Sequence, residues 1–377
     1  MRLLRISIPV VLVGALAALA VGLASAQQRD PYYFGVDTAT TNITETAAEV
    51  VIEPRFRAVV DDQFPYEIYV NTKRTGTSSE GTNLFDTFRR TESWIVHAQL
   101  IMREDELERR KDPLLAFQYG VPNDAEGKAR PGGISFLIDN GRGRYSGYIG
   151  PAAGGNSAKF QEILPDGARS DVTNIPGWPG ISASGVESSR SAQAGMNAAS
   201  LWVSMAEDGR PHNPQYYVDW NDPDQRSYPG QLIEPLHLLL GLHTHFAKDT
   251  KLKLGESVKL TRGFPVGVVP GAAAEYEFSY KLENLYGTLE EPTAARFSFT
   301  AAPRAARQAI KVGELLAEFD APAISGTLLF DLLKGVTADI AWAGAVKGLI
   351  SQPGTELRTE FASDMDFRAS LMRKPPK

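Results

Sequence analysis

Ala274-Glu275-Tyr276-Glu277-Phe278-Ser279-Tyr280-Lys281-Leu282-Glu283 alternates apolar and polar residues without a fault. A β-strand sends successive side chains to opposite faces, so this period of two predicts a strand with one face buried and the other in water. The pattern returns near the C-terminus. Leu357, Phe361, Met365, Phe367, Ala369 and Leu371 share one face, with Arg358, Glu360, Asp364, Asp366, Arg368 and Ser370 opposite; Thr359 and Ser363 are polar entries on the apolar side. A single strand over 357–371 reaches about 50 Å.

Working outward, Arg296–Ala301, Lys311–Phe319, Ile324–Leu333 and Val336–Leu349 are further strand candidates, separated by short connections bearing Pro or Gly. Sequential strands with short links predict an antiparallel meander. Upstream, Glu49–Val60, Tyr66–Thr72, Trp94–Met102 and Leu114–Tyr119 read as strands. Asp139-Asn140-Gly141 marks a hairpin, because Ile134, Phe136 and Ile138 alternate before it and Asn-Gly supplies positive φ angles. The mixed charges of Arg103–Asp112 fit a solvated hairpin cap or helical turn. Gly141-Arg142-Gly143-Arg144-Tyr145-Ser146-Gly147 has neither the spacing nor the βα context of a phosphate loop and reads as a turn.

Residues 150–231 are rich in Gly, Pro, Ser, Asn and Asp and hold Trp178, Trp202 and Trp220. Ser188–Ala206 spaces Ala192, Met196, Ala199, Val203 and Ala206 at three and four residues, which predicts an amphipathic helix; a second short helix is expected at Glu234–Leu240. The fold class expected is therefore mainly β: a large curved antiparallel sheet or half-barrel meander with one or two short covering helices. An outer-membrane barrel alternates too, but long polar loops and the tail Arg373-Lys374-Pro375-Pro376-Lys377 argue against one.

The N-terminus begins with Arg2 and Arg5, runs apolar from Ile6 to Leu23 and ends in Ala24-Ser25-Ala26, as a secretory signal does. The expected organisation is a signal peptide at 1–26, a flexible lead-in at 27–45, an N-terminal β region at 46–150, a loop-rich and helical insertion at 151–250, and a C-terminal antiparallel meander at 251–377. Cleavage after Ala26 leaves about 350 residues, soluble in the periplasm or outside the cell; an uncleaved leader would keep contact with the membrane. The chain has no cysteine, so it offers no disulfide, no thiolate metal site, no cysteine nucleophile and no residue to carry a lipid. Its 45 acidic residues outnumber 39 basic ones, which disfavours nucleic acid as a partner.

Leu254-Gly255-Glu256-Ser257 opening a strand, the Tyr-rich strand after it, and Phe330-Asp331-x-x-x-Gly335 before another strand resemble exported bacterial β-rich domains of unknown function, loosely like periplasmic lipid-carrier half-barrels, over residues 254–371. The resemblance implies an envelope location and an open or half-barrel sheet. It implies no catalytic motif.

Candidate chemistry is sparse. Glu234, His237, His243 and His245 offer imidazole and carboxylate ligands for zinc or copper, against an ordinary helix-to-strand junction. Asp219-Trp220-Asn221-Asp222-Pro223-Asp224 gathers oxygen ligands suited to calcium, but lacks the EF-hand's sixth-position Gly and twelfth-position Glu and also builds ordinary turns. No cofactor is implied beyond these. Gly180-Ile181-Ser182-Ala183-Ser184-Gly185 is not a nucleophile elbow, and no catalytic residue stands out. The function this reading prefers is binding of a lipid-like or hydrophobic small molecule, or of an envelope protein. The ligand-binding candidates are Trp178, Trp202, Trp220, Tyr276, Phe278 and Phe361. The alternatives are a carbohydrate-binding or carbohydrate-active periplasmic protein using the tryptophans as stacking platforms, and a structural or assembly factor of the envelope.

Overall fold

The computed structural model describes residues 42–57, 63–103, 114–119, 133–152, 155–172, 199–205, 211–218, 246, 249–265, 273–305, 307–312, 314–320 and 323–371. Among them there is no helix, and seventeen strands join one sheet through antiparallel ladders. In chain order they are β1 Gln63–Glu80, β2 Asn83–Arg103, β3 Leu114–Tyr119, β4 Gly133–Asp139, β5 Arg144–Ala152, β6 Gly155–Ile163, β7 Arg169–Asp171, β8 Ala199–Met205 and β9 Pro211–Val218. They continue as β10 Ser257–Pro265, β11 Ala273–Gly287, β12 Pro292–Pro303, β13 Arg307–Val312, β14 Leu315–Asp320, β15 Ile324–Asp331, β16 Val336–Ser351 and β17 Leu357–Leu371.

Pairing registers set the spatial order β10-β11-β12-β15-β16-β17-β1-β2-β4-β5-β6-β7. Among the described residues no ladder joins β10 to β7, so the sheet is open. It forks at two long strands. Thr91–His97 of β2 pair with β4, whereas Ala98–Arg103 pair with β3, which carries β8 and β9 beyond it. Val336–Ala343 of β16 pair with β15, whereas Lys347–Ser351 pair with β14, which carries its hairpin partner β13 beyond it. The last strand, β17, lies beside the first, β1, over the whole of Tyr66–Glu80. The β7 edge is three exposed residues long and covers only Gln161–Ile163 of β6.

Register explains the core. One transverse row runs Val258, Tyr280, Phe299, Gly326, Trp342, Phe367, Val70, Trp94, Phe136, Gly147 and Phe160, each residue directly opposite the next. Its large side chains are buried from Tyr280 at 0 % exposure to Phe160 at 7 %. The glycines are where rings lie down. A Cβ on Gly147 would stand 2.0 Å from the Phe136 ring, and one on Gly326 2.6 Å from the Phe299 ring and 2.3 Å from the Ala341 carbonyl oxygen. Seating an aromatic over a cross-strand glycine keeps a ring-dense row flat enough to pack, and each buried ring is worth roughly 1.5–3 kcal/mol.

Two irregular segments cover this face over β11, β12 and β15. Ile52 and Leu252 exchange backbone hydrogen bonds at 2.9 and 3.1 Å, tying residues 42–57 to 249–254. Phe246 brings its ring within 5.5 Å of Tyr280, 4.9 Å of Phe297 and 5.5 Å of Phe330. Tyr66 crosses the face to donate its hydroxyl to the Thr337 carbonyl; burial holds that hydroxyl's pKa well above the ordinary tyrosine value, so it stays a donor.

Several expectations are corrected. Ala199–Met205, assigned to a covering helix, is strand β8: Leu201, Val203 and Met205 also alternate with Ser200, Trp202 and Ser204, and pairing with β3 selects the period of two. The described cover is the two irregular segments 42–57 and 249–254; Ser188–Ala198 and Glu234–Leu240 lie outside the described residues. Glu49–Arg57 forms no strand beyond the Ile52 bridge, because Pro54 cannot donate to a ladder. Lys311–Phe319 breaks into the hairpin β13–β14. Tyr66–Thr72 and Trp94–Met102 are only the apolar ends of β1 and β2, whose polar halves Lys73–Glu80 and Asn83–Ser93 carry no hydrophobic alternation to betray them. Of the expected lead-in, Asn42–Glu45 are described, and Ile43 donates to the Leu285 carbonyl at 3.0 Å.

The Phe330-Asp331-x-x-x-Gly335 motif is a structural turn. Asp331 Oδ1 accepts from the amides of Leu333 at 2.8 Å and Lys334 at 2.9 Å, and burial raises its carboxyl pKa. A carboxyl whose pKa is raised by folding favours its protonated form in the fold. Its contribution to stability therefore improves as pH drops through the folded and then the unfolded value. Asp331→Asn keeps an accepting oxygen and should equal or exceed the parent in stability at pH 7, with the difference shrinking in the acid range. Asp331→Ala should cost about 1–2 kcal/mol. Urea melts at neutral and acid pH check both; a D331N variant losing as much as D331A would contradict the assignment.

Candidate functional site

A polar island interrupts the apolar face where β16, β17, β1 and β2 run side by side. Alternation and register put Ser363, Arg74 and Arg90 in one transverse row, directly opposite one another, and Thr72 and Glu92 in the row beside it. Thr72, Glu92 and Ser363 are 3, 4 and 3 % exposed. Glu92 pairs with Arg90 and accepts a 2.9 Å hydrogen bond from Trp94 Nε1, so the aromatic row anchors the carboxylate. Burial lowers the Arg90 pKa to about 10, with Glu92 opposing that fall and neighbouring Arg74 adding to it. The Ser363 hydroxyl is buried with no hydrogen-bond partner among the described residues.

Beyond the island lies a shelf. Phe319, Gly348, Phe361, Gly76 and Phe88 form the next row across β14, β16, β17, β1 and β2. Phe319 and Phe361 are buried, whereas Phe88, Val346 and Ile350 are only partly so and lean on the core. A Cβ on Gly76 would meet the Phe88 ring at 2.3 Å, and one on Gly348 the Glu318 carbonyl oxygen at 2.3 Å. The face thus passes from sealed aromatics, through charged and hydroxylic groups, to a partly buried apolar surface with glycines in its floor.

A depression of about 710 Å³ is centred on this same row. Most of its lining, including Thr75, Thr77, Arg89, Glu318, Lys347 and Glu360, comes from the opposite phase of the alternation, and Arg74, Arg90, Ser363, Val346 and Ile350 do not line it. Arg307–Glu318 at 3.3 Å and Lys347–Asp320 at 3.9 Å balance charge there, and such solvated pairs contribute little to stability. Apolar residues with polar groups around them are the composition from which small-molecule sites are built.

The sequence candidates land unevenly. Tyr276 and Phe278 lie in β11, 3 and 0 % exposed, with Phe278 stacked on Tyr280 at 5.8 Å between ring centroids. Burial raises the Tyr276 hydroxyl to about 12. Phe361, 9 % exposed, lies in the shelf row, far along the sheet from those two. Trp202 lies in β8. Trp178, Trp220, Glu234, His237, His243, His245 and the Asp219–Asp224 stretch lie outside the described residues. Among the described residues no group of three or more His, Cys, Asp or Glu is placed to hold a metal. Sequence reasoning missed Arg74, Arg90 and Glu92, because the polar half of the β1–β2 hairpin was not read as strand; Ser363, a polar entry on an apolar face, was the visible signal.

The fold and this face define an open, antiparallel, all-β protein with one apolar face. No helix among the described residues is long and apolar enough to cross a membrane. No protein-family model matches the chain, and no curated protein matches it. Among solved structures, lipovitellin, described for its lipid–protein interactions, is similar at 7 % identity and a TM-score of 0.40 over 85 % of this chain; the chain spans only 26 % of that protein. An outer membrane channel from Pseudomonas putida F1 is similar at 8 % identity and a TM-score of 0.18, over 84 % of this chain and 98 % of that one. A deletion mutant of TodX, a monoaromatic hydrocarbon channel, gives 10 % identity and 0.17 over 90 % and 98 %. At TM-scores this low the likenesses carry no functional argument.

Proposed function

We propose that this is an exported envelope protein that binds a lipid-like or other hydrophobic ligand on the apolar face of its sheet, without catalysis. The observation that carries the reading is the less sealed end of that face, where Phe88, Val346 and Ile350 are only partly buried against a fully buried aromatic core. Apolar surface of this kind is favourable to cover, at about 25 cal/mol per Å². The secretory pattern of the first 26 residues supports the location.

The protein isolated from its own host and examined by native mass spectrometry should carry an adduct of lipid mass, recovered by organic extraction. A clean apo mass, together with no binding of an added long-chain alcohol, would overturn the reading.

A further inference from the structure

We propose that the depression is a second binding site, on the opposite, polar face of the sheet, and that it takes a small zwitterion of the amino acid or short peptide class. Arg89 holds the ligand's carboxylate and Glu360 its ammonium group. The site goes beyond the function proposed above and is independent of it, because the hydrophobic ligand belongs to the other face.

The room is a recess of about 710 Å³ between two outward-facing rows of side chains that cross β16, β17, β1 and β2. One wall runs through Lys347, Ala362, Thr75 and Arg89, each directly opposite the next. The other runs through Leu349, Glu360, Thr77 and Thr87 in the same way. Between the walls lies the row of Gly348, Phe361, Gly76 and Phe88, which by alternation turns its side chains to the apolar face, so the floor of the recess is backbone.

Register leaves one cation and one anion unspent on these walls. Arg89 has Thr75 directly opposite and Lys73 and Thr77 on its diagonals, so no carboxylate stands across from it. Glu360 lies between Leu349 and Thr77, with no cation directly opposite. Neither side chain forms a hydrogen bond or ion pair among the described residues. At the other end of the recess the charges are satisfied internally, Arg307 by Glu318 at 3.3 Å and Lys347 by Asp320 at 3.9 Å. A single unpaired charge on a surface is ordinary; here two of opposite sign face each other across a hollow. Two strand spacings and two residue rises put their Cα atoms roughly 12 Å apart. Only the small side chains of Thr75, Thr77 and Ala362 lie between, and the two threonines offer hydroxyls that donate or accept.

This arrangement selects against other ligand classes. A sugar ring finds no aromatic platform, because the Phe88 ring lies on the Cβ side of Gly76, toward the apolar face. A simple anion meets the Glu360 carboxylate in the opposite wall, and an apolar chain meets a single leucine. A molecule with a carboxylate at one end and an ammonium at the other satisfies both charges at once, the carboxylate in the two parallel hydrogen bonds of a guanidinium fork.

The test titrates the full mature chain by calorimetry with glycine, glycylglycine, N-acetylglycylglycine, which lacks the ammonium, glycylglycine amide, which lacks the carboxylate, and glucose. The better of glycine and glycylglycine should bind at least tenfold more tightly than either blocked form or glucose. Arg89→Gln should weaken that zwitterion about tenfold and leave the amide unchanged, with Arg89→Lys recovering part of the loss. Glu360→Gln should weaken the zwitterion and leave the N-acetyl form unchanged, so each substitution cancels against the matching change in the ligand. Both positions are exposed, and thermal melts that match the parent show the variants folded. An N-acetyl form that binds as tightly as the free dipeptide, an Arg89→Gln variant that binds the zwitterion as the parent does, tighter binding of glucose, or no binding of either zwitterion would each overturn the site. Binding of a long-chain alcohol, measured on the same samples, reads the hydrophobic function separately.

Discussion

Gly335→Ala should destabilise the protein by on the order of 3 kcal/mol and release the segment before β1. Gly335 has φ +67°, and a Cβ there would stand 2.1 Å from the Arg55 carbonyl oxygen and 2.4 Å from the Arg57 amide nitrogen. The left-handed conformation costs a non-glycine residue about 1–2 kcal/mol, and overpacking against rigid backbone costs about 1–3 more. The collision is with the strap that residues 42–57 lay over the sheet, whose Arg57 amide donates to the Lys334 carbonyl at 3.2 Å. Trypsin should therefore cut at Arg55 or Arg57 in the variant well before it does so in the parent. Gly354→Ala is the control: φ is +85° there too, but nothing lies within 4 Å of its Cβ. It should cost only the conformational part, about 1–2 kcal/mol. Equal losses in the two variants, read from urea melts, would mean that the strap is not seated on the 331–335 turn.

Gly326→Ala should be as damaging, about 3 kcal/mol, and no second change nearby should rescue it. Its Cβ would run into the Ala341 carbonyl oxygen, which belongs to the ladder between β15 and β16 and cannot move without breaking it. Gly147→Ala offers the contrast, because all three of the nearest atoms belong to the Phe136 ring. Alone it should cost about 2 kcal/mol; combined with Phe136→Leu, the pair should be better than the sum of the singles by about 1 kcal/mol. A double-mutant cycle on thermal or urea midpoints measures that coupling. A zero coupling at 147 and 136 would remove the idea that these glycines exist to seat rings.

These cases show where the sequence was legible. Strand β17 is legible to its last residue because its apolar period continues to both ends, and β3 because the apolar run Leu114–Phe117 marks it. Strand β8 was misread because Ala192, Met196, Ala199 and Val203 satisfy a helical period while Leu201, Val203 and Met205 satisfy a strand's, and only the ladder to β3 decides between them. The Thr- and Arg-rich half of the β1–β2 hairpin shows no alternation at all, since its two faces are both partly wet, and the island went unseen with it.

By itself the sequence determined which side of each long strand is apolar, since a period of two is a local property of the extended backbone and needs no neighbour. Register was decided only by the tertiary structure. Which phenylalanine lies over which glycine, and which arginine faces which, depends on hydrogen-bonded ladders between segments such as β1 and β17, almost three hundred residues apart in the chain. A one-residue slip in any ladder would leave every local pattern intact and scatter the island across two faces.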